Sequence, residues 1–135
     1  MDPVILDTDI LSEVLKQRNA VVRQRAAAYL QQHQQFAFSS VSRFELLRWY
    51  KEKNATTQLR RFMRFCQHSL ILAATEPVFD QAADLWVYGR KHGHPVSDSD
   101  VLIGATALLH GRVLVTGNEG HFNWIPGLVV DNWRR

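Results

Sequence analysis

Two kinds of apolar pattern alternate along the chain. Short continuous runs predict buried strands, and longer segments with apolar residues every third or fourth position predict amphipathic helices. Val4-Ile5-Leu6 is the first run, and a helical pattern from Ile10 to Lys16 follows it, with Ile10, Leu11, Val14 and Leu15 on one side. Asn19 to His33 reads as a second helix whose inner side is Val21, Val22, Ala26 and Leu30. Phe36 to Ser39 alternates as a brief strand, and the helix formers of RFELLRWYKEK come next. Asn54 to Ser69 predicts a helix with Leu59, Phe62, Met63 and Cys66 inward. Leu70 to Ala73 is a third strand, and Thr75 with Pro77 opens a helix to Lys91 whose buried stripe is expected at Phe79, Ala82, Ala83, Trp86 and Val87.

The stretch from Gly93 to Asn118 organises the rest. A loop carrying Asp98 and Asp100 runs into a helical pattern in which Ile103, Gly104, Ala107 and Leu108 share a face with Asp100. Gly111 stops it, and the β-branched run Val113 to Val115 follows. Leu128 to Val130 makes a last strand. Strands and helices in alternation, without a linker or repeat, predict one α/β domain over residues 1–135, with a central, mostly parallel sheet flanked by helices.

In a parallel sheet the connections after the strands share one rim, where open α/β folds build their sites. Asp7 ends the first run, Glu45 follows the second strand, and Asp98 and Asp100 enter the unit that leaves through Thr116 and Asn118. Each acid also has a plain structural role open to it. Thr8 and Asp9 suit a helix start, and Ser42 with Glu45 and Ser97 with Asp100 have the spacing of capping boxes. The recurrence of acids at three connections is what favours a site. Carboxylates gathered in one crevice raise one another's pKa, so a cation is expected between them. Hard oxygen donors suit Mg²⁺ or Mn²⁺, and such a centre hydrolyses phosphate esters.

Composition narrows the picture further. With 46% hydrophobic and 21% charged residues among 135, the chain is expected to fold as a globule. The single cysteine, Cys66, excludes an internal disulfide and a cysteine-based zinc site. No apolar run is long enough to span a membrane, and MDPVILDTD lacks the marks of a signal peptide, so a cytoplasmic protein is expected. The net charge of +3 leaves a basic exterior if several acids are gathered in a pocket, which suits a polyanionic partner.

VILDTD, SSVSRFELL, DSDVLIGATALLHG with LVTGNEGHF, and IPGLVVDNW, in this order and at these separations, together resemble PIN-domain proteins of the VapC toxin type across essentially the whole chain. The resemblance implies a three-layer PIN-like domain. It also implies a Mg²⁺- or Mn²⁺-dependent endoribonuclease that acts on RNA as the toxin of a type II toxin–antitoxin pair. A VapB-like antitoxin, a homodimer and a higher assembly with the antitoxin come with it. Carried over by position, Asp7 and Asp100 are the principal metal ligands and Glu45 binds or acts through water, with Ile103-Gly104-Ala105 where the family has an I-A-A-like run. Asp98 is an additional acid that faces another way on the helix. Asn118, also a candidate catalytic residue, stands where the family often has a fourth acid, a departure that Glu119 could offset by reaching in or Asn118 itself by ligating as a neutral oxygen. The early helices are expected to receive the antitoxin, with Leu11, Val14, Leu47 and Tyr50 partly exposed there.

Two other readings compete. Asp7-Thr8-Asp9 resembles the D-x-D start of haloacid-dehalogenase-type phosphatases, which needs a nucleophilic aspartate and a downstream lysine. A PIN-like fold that is catalytically impaired and only binds RNA or a partner would explain Asn118. Arg43, Arg48, Lys51, Arg60, Arg61 and Arg64 are candidate RNA contacts on solvated faces. His92, His94 and His121 lack the spacing of a metal pair, and Trp49, Tyr50, Trp86 and Trp124 are expected in the core or an interface.

Overall fold

The apolar runs form five strands and the amphipathic segments six α-helices, in a computed structural model that describes residues 1–135. The strands are β1 (Val4–Leu6), β2 (Ala37–Ser39), β3 (Leu70–Leu72), β4 (Val113–Val115) and β5 (Val130–Asp131). The helices are α1 (Thr8–Lys16), α2 (Ala20–His33), α3 (Ser40–Glu52), α4 (Thr56–Gln67), α5 (Glu76–Lys91) and α6 (Asp98–Leu109). The sheet order is β3-β2-β1-β4-β5, and every pairing is parallel. Leu6 lies level with both Phe38 and Val115, so the three central strands bring Asp7, Ser39 and Thr116 side by side at one rim.

Strand side chains alternate between faces, and each face has its own core. Val4, Leu6, Phe36, Phe38 and Val115 pack with Ile10, Leu11, Val22, Tyr29, Leu46 and Phe62 from α1 to α4. Ile5, Ala37, Leu72 and Leu114 pack on the other side with Val78, Ala82, Leu85, Ile103 and Ala107 from α5 and α6. Three layers result. Gly104 lets α6 settle closely, because a Cβ there would come within 2.8 Å of Ile125 Cδ1.

Several expected inner faces are displaced. On α5 the buried residues are Val78, Ala82, Leu85 and Gly89, whereas Phe79, Trp86 and Val87 are 53%, 38% and 45% exposed. The helix carries two apolar stripes, and only one can face the sheet; the other borders a groove shared with Val101 and Leu102 of α6. On α2, Tyr29 is buried in place of Val21 and Leu30, because its hydroxyl accepts the Val4 N–H at 3.0 Å and satisfies its one polar atom. Met63 of α4 is exposed. Leu11, Val14 and Tyr50, expected on an open antitoxin surface, lie in the core, and Leu47 is half-buried. The last strand is Val130–Asp131, shifted from Leu128 to Val130. No helix is long and apolar enough to cross a membrane.

Candidate active site

At the carboxyl-terminal rim the chain opens a cavity of about 1000 Å³ lined by Asp7, Asp9, Glu45, Asp100, Asn118 and His121 among others. Asp7 forms its buried edge. Its Oδ1 accepts the Thr8 N–H at 2.8 Å, which caps α1, and its Oδ2 accepts the Thr116 hydroxyl at 2.8 Å. Those two donors do not compensate the charge. Burial foremost, then the Asp9 carboxylate and also that of Asp100, raise the Asp7 pKa from 3.8 to about 7 against the Thr116 and Thr8 bonds.

Glu45 arrives one turn deeper in its helix than a capping box allows. β2 runs into α3 without a loop, Ser39 caps the helix by accepting the Ser42 N–H at 3.0 Å, and Glu45 falls in the second turn. Its carboxylate is held from across the rim instead, with Oε1 accepting the Thr8 hydroxyl at 2.7 Å. The Ser42 hydroxyl lies 2.9 Å from the same Thr8 oxygen. Ser40 accepts the Ala74 N–H at 3.0 Å, so both serines of this connection are structural.

Asp100 stands in the first turn of α6. Ser97 caps the helix by accepting the Asp100 N–H at 3.2 Å, but the Asp100 carboxylate meets His121 Nδ1 at 3.2 Å. Burial pushes this carboxyl above the usual range, opposed by Ser97 and His121 and reinforced by the charge of Glu45. Asp7, Glu45 and Asp100 are thus brought to one cavity. Asp98 is not: two residues from Asp100 it is turned about 200° around the helix, and it borders the α5–α6 groove. Glu119 also turns away, its carboxylate engaged by Arg135 at 2.5 and 2.8 Å and by Asn132 at 3.1 Å.

Asp9, Thr8 and His121 are the site residues that periodicity did not single out. Asp9 Oδ1 accepts the Ile10 N–H at 2.8 Å, while Oδ2 accepts the Gly117 N–H at 2.9 Å and the Asn118 side-chain amide at 3.3 Å, with Arg134 at 3.6 Å. Asn118 therefore donates to an acid where a fourth acid would have repelled it. The glycine before it leaves room for these contacts, since a Cβ at Gly117 would overlap Arg134 and come within 2.6 Å of Asp9 Oδ2 unless those side chains moved. The repeat of acids in DTD was the only local sign of Asp9.

No lysine lines the cavity, so the D-x-D phosphatase reading lacks its second group. No three acidic, imidazole or thiol side chains converge closely enough to grip an ion unaided. The donor chemistry nonetheless fits a hard divalent cation. Asp7, Glu45 and Asp100 offer oxygens only, and burial makes the charged form costly for two of them, a cost such an ion would relieve.

The family model for the PIN domain matches residues 4–126. No protein of curated function matches the chain. Solved structures do: VapBC2 from Rickettsia felis bound to a DNA fragment from its promoter superposes with a TM-score of 0.85 at 21% identity, covering 96% of this chain and 98% of that one. DNA-bound VapBC from Salmonella typhimurium gives 0.85 at 23%, covering 98% and 99%. A toxin–antitoxin complex from Klebsiella pneumoniae gives 0.72 at 24%, covering 93% and 95%. At these identities the likeness is one of fold.

Proposed function

The chain belongs to the PIN-domain family, and from that premise we propose that it is an endoribonuclease dependent on Mg²⁺ or Mn²⁺, the toxin of a VapBC-type toxin–antitoxin pair acting in the cytoplasm. One observation carries the reading: acids from three separate connections open on one cavity, and the most buried of them, Asp7, is left without a compensating cation from the chain. Asp7 also caps α1, but a cap alone needs neither its burial nor the further carboxylates that face it.

Asp7, Glu45 and Asp100 are the side chains that would hold the ion. When bound, it supplies an activated water and neutralises charge on the phosphoryl oxygens. The chain does the rest. Thr116 and the Thr8 N–H fix the orientation of Asp7, and the Thr8 hydroxyl fixes Glu45. Glu45 Oε2 accepts no hydrogen bond within the chain and would be available to the ion or to a water beside it. His121 holds Asp100, and Arg48 at the cavity wall meets the RNA backbone.

The partner readings find support in two apolar grooves. One lies among α1, α2 and α4, lined by Leu15, Ala27, Leu30 and Phe65 and edged by Arg23 and Arg61, and suits an antitoxin segment with apolar and acidic residues. The exposed Phe79, Trp86 and Val87 suit a homodimer. The alternative, a binding module without catalysis, draws on Asn118 and on the open spacing of the donors. Cleavage of mixed RNA with Mg²⁺, with Mn²⁺ and with chelator separates the two readings. Ion-dependent cutting that Asp100→Asn lowers by a hundredfold or more is expected on the order of a lost transition-state contact. A folded, antitoxin-free preparation that cuts nothing with either ion would leave the binding module.

A further inference from the structure

We propose that the aromatic column His94, Trp124, Tyr88 and His92 is a stacking subsite for an unpaired base of single-stranded RNA beside the acidic cavity. This rests on the RNA-cleaving reading above and adds to it the part of the substrate that is held. The four rings lie in near-parallel succession: His94 on Trp124 at 5.2 Å and 10°, Trp124 on Tyr88 at 6.3 Å and 9°, Tyr88 on His92 at 4.1 Å and 26°. Trp124, expected in the core or an interface, is only partly covered, and Tyr88 and His92 are exposed. The other stacked groups of the molecule, around Tyr29, Phe36 and Phe38, are centred on buried rings.

Two links tie the column to the cavity. His94 directly precedes Pro95, Val96 and Ser97, which form part of the cavity wall. The Trp124 indole N–H donates to the His121 carbonyl at 2.8 Å, and the imidazole of His121 touches Asp100. A base on the column therefore neighbours the nucleotide whose phosphate meets the acids.

The rings are also held in place before any ligand arrives. Trp124 lies against Gly89, where a Cβ would stand 2.8 Å from the indole, and His92 Nδ1 is 2.8 Å from the Tyr88 carbonyl oxygen. Pre-set rings lose little freedom on binding, so stacking energy goes to affinity. Flat rings with polar edges match a heteroaromatic base, and every base offers a π-face. Lys91 lies three residues after Tyr88 in the last turn of α5, so a cation adjoins the column on the same side of the helix.

The test is anisotropy of labelled oligouridine and oligoadenosine on the full chain in chelator, where no cleavage intervenes. His94→Ala, at the end of the column beside the cavity, should weaken binding by roughly tenfold or more, with the same factor at low and high salt, and His94→Tyr should restore it. His92→Ala, at the far end, should weaken binding less. An oligonucleotide with an abasic site should lose affinity for the wild-type chain and be indifferent to His94→Ala. Both alanine variants are near the surface, so folding is checked by circular dichroism and Trp124 is left intact. If His94→Ala and His92→Ala bind as the wild type does, or duplex RNA binds as tightly as single strands, the column is not a base subsite. That result leaves ion-dependent cleavage standing, whereas a chain that neither binds nor cuts RNA overturns both readings.

Discussion

Asp7 and Glu119 are acids just beyond neighbouring parallel strands, and they have opposite surroundings. Glu119 is met by both arms of Arg135 and by Asn132, which hold its carboxyl below the usual range. Asp7 is buried, has only a hydroxyl and a backbone N–H for donors, and faces Asp9 and Asp100. The first charge is neutralised within the chain and offers nothing to a ligand. The second is left uncompensated at the wall of a cavity, which is the arrangement the proposed ion would complete.

The sharpest way to break this comparison is Asp7→Asn. RNA cleavage should fall by on the order of a hundred- to a thousandfold, while the folded state gains stability at neutral pH and above. The sign follows from linkage. The folded Asp7 pKa, about 7, lies above its unfolded value of 3.8, so the native state binds the proton more tightly and stability is lost as pH rises through that interval. Asn removes the loss. The variant should exceed the wild type by ~2–4 kcal/mol at pH 8 and match it near pH 4 in urea unfolding. A variant no more stable than the wild type at pH 8 would show that Asp7 carries no uncompensated charge.

Divalent ion should reproduce part of that gain without mutation. Mg²⁺ or Mn²⁺ at a hundred times its dissociation constant should stabilise the wild type by about 2.7 kcal/mol in thermal unfolding and flatten its pH dependence. Asp100→Asn should blunt the response; an equal response in that variant would place the ion elsewhere. Thr8→Val tests a smaller effect, since it frees Glu45 and leaves every acid in place. Cleavage should drop roughly tenfold, the usual cost of losing a group that orients a ligand-bearing carboxylate. Smallest of all is Glu119→Gln, which should leave cleavage and ion response unchanged and lower thermal stability only slightly, because its ion-pair partner Arg135 is solvent-exposed. Lost cleavage there would make the two acids alike after all.

The element order, the parallel sheet and the positions of Asp7, Glu45 and Asp100 were legible in the chain, because strand runs, helical periods and acids at strand ends are local patterns. The capping reading and the site reading of Asp7 proved compatible, since one carboxylate caps α1 and opens to the cavity. Glu45 was found as an acid following the second strand, and the capping box offered as its structural alternative does not form: the helix begins at Ser40, and the partner of Glu45 is Thr8. The inner face of α5 was misassigned because two apolar stripes fit its period equally, and nothing local says which one meets the sheet.

What the sequence determined by itself was the set of elements and which acids end which strands, because 3.6-residue and two-residue periods and turn chemistry act within a few residues. Only the tertiary structure decided the company each acid keeps. Pairing of β1 with β4 sets Leu6 level with Val115, which brings Thr116 to Asp7 and Gly117 to Asp9 across more than a hundred residues of chain. The seating of α6 turns Asp100 into the cavity and Asp98 out of it. Those choices depend on register and packing between distant segments, and a carboxylate's charge is favourable or costly only once its neighbours in space are known.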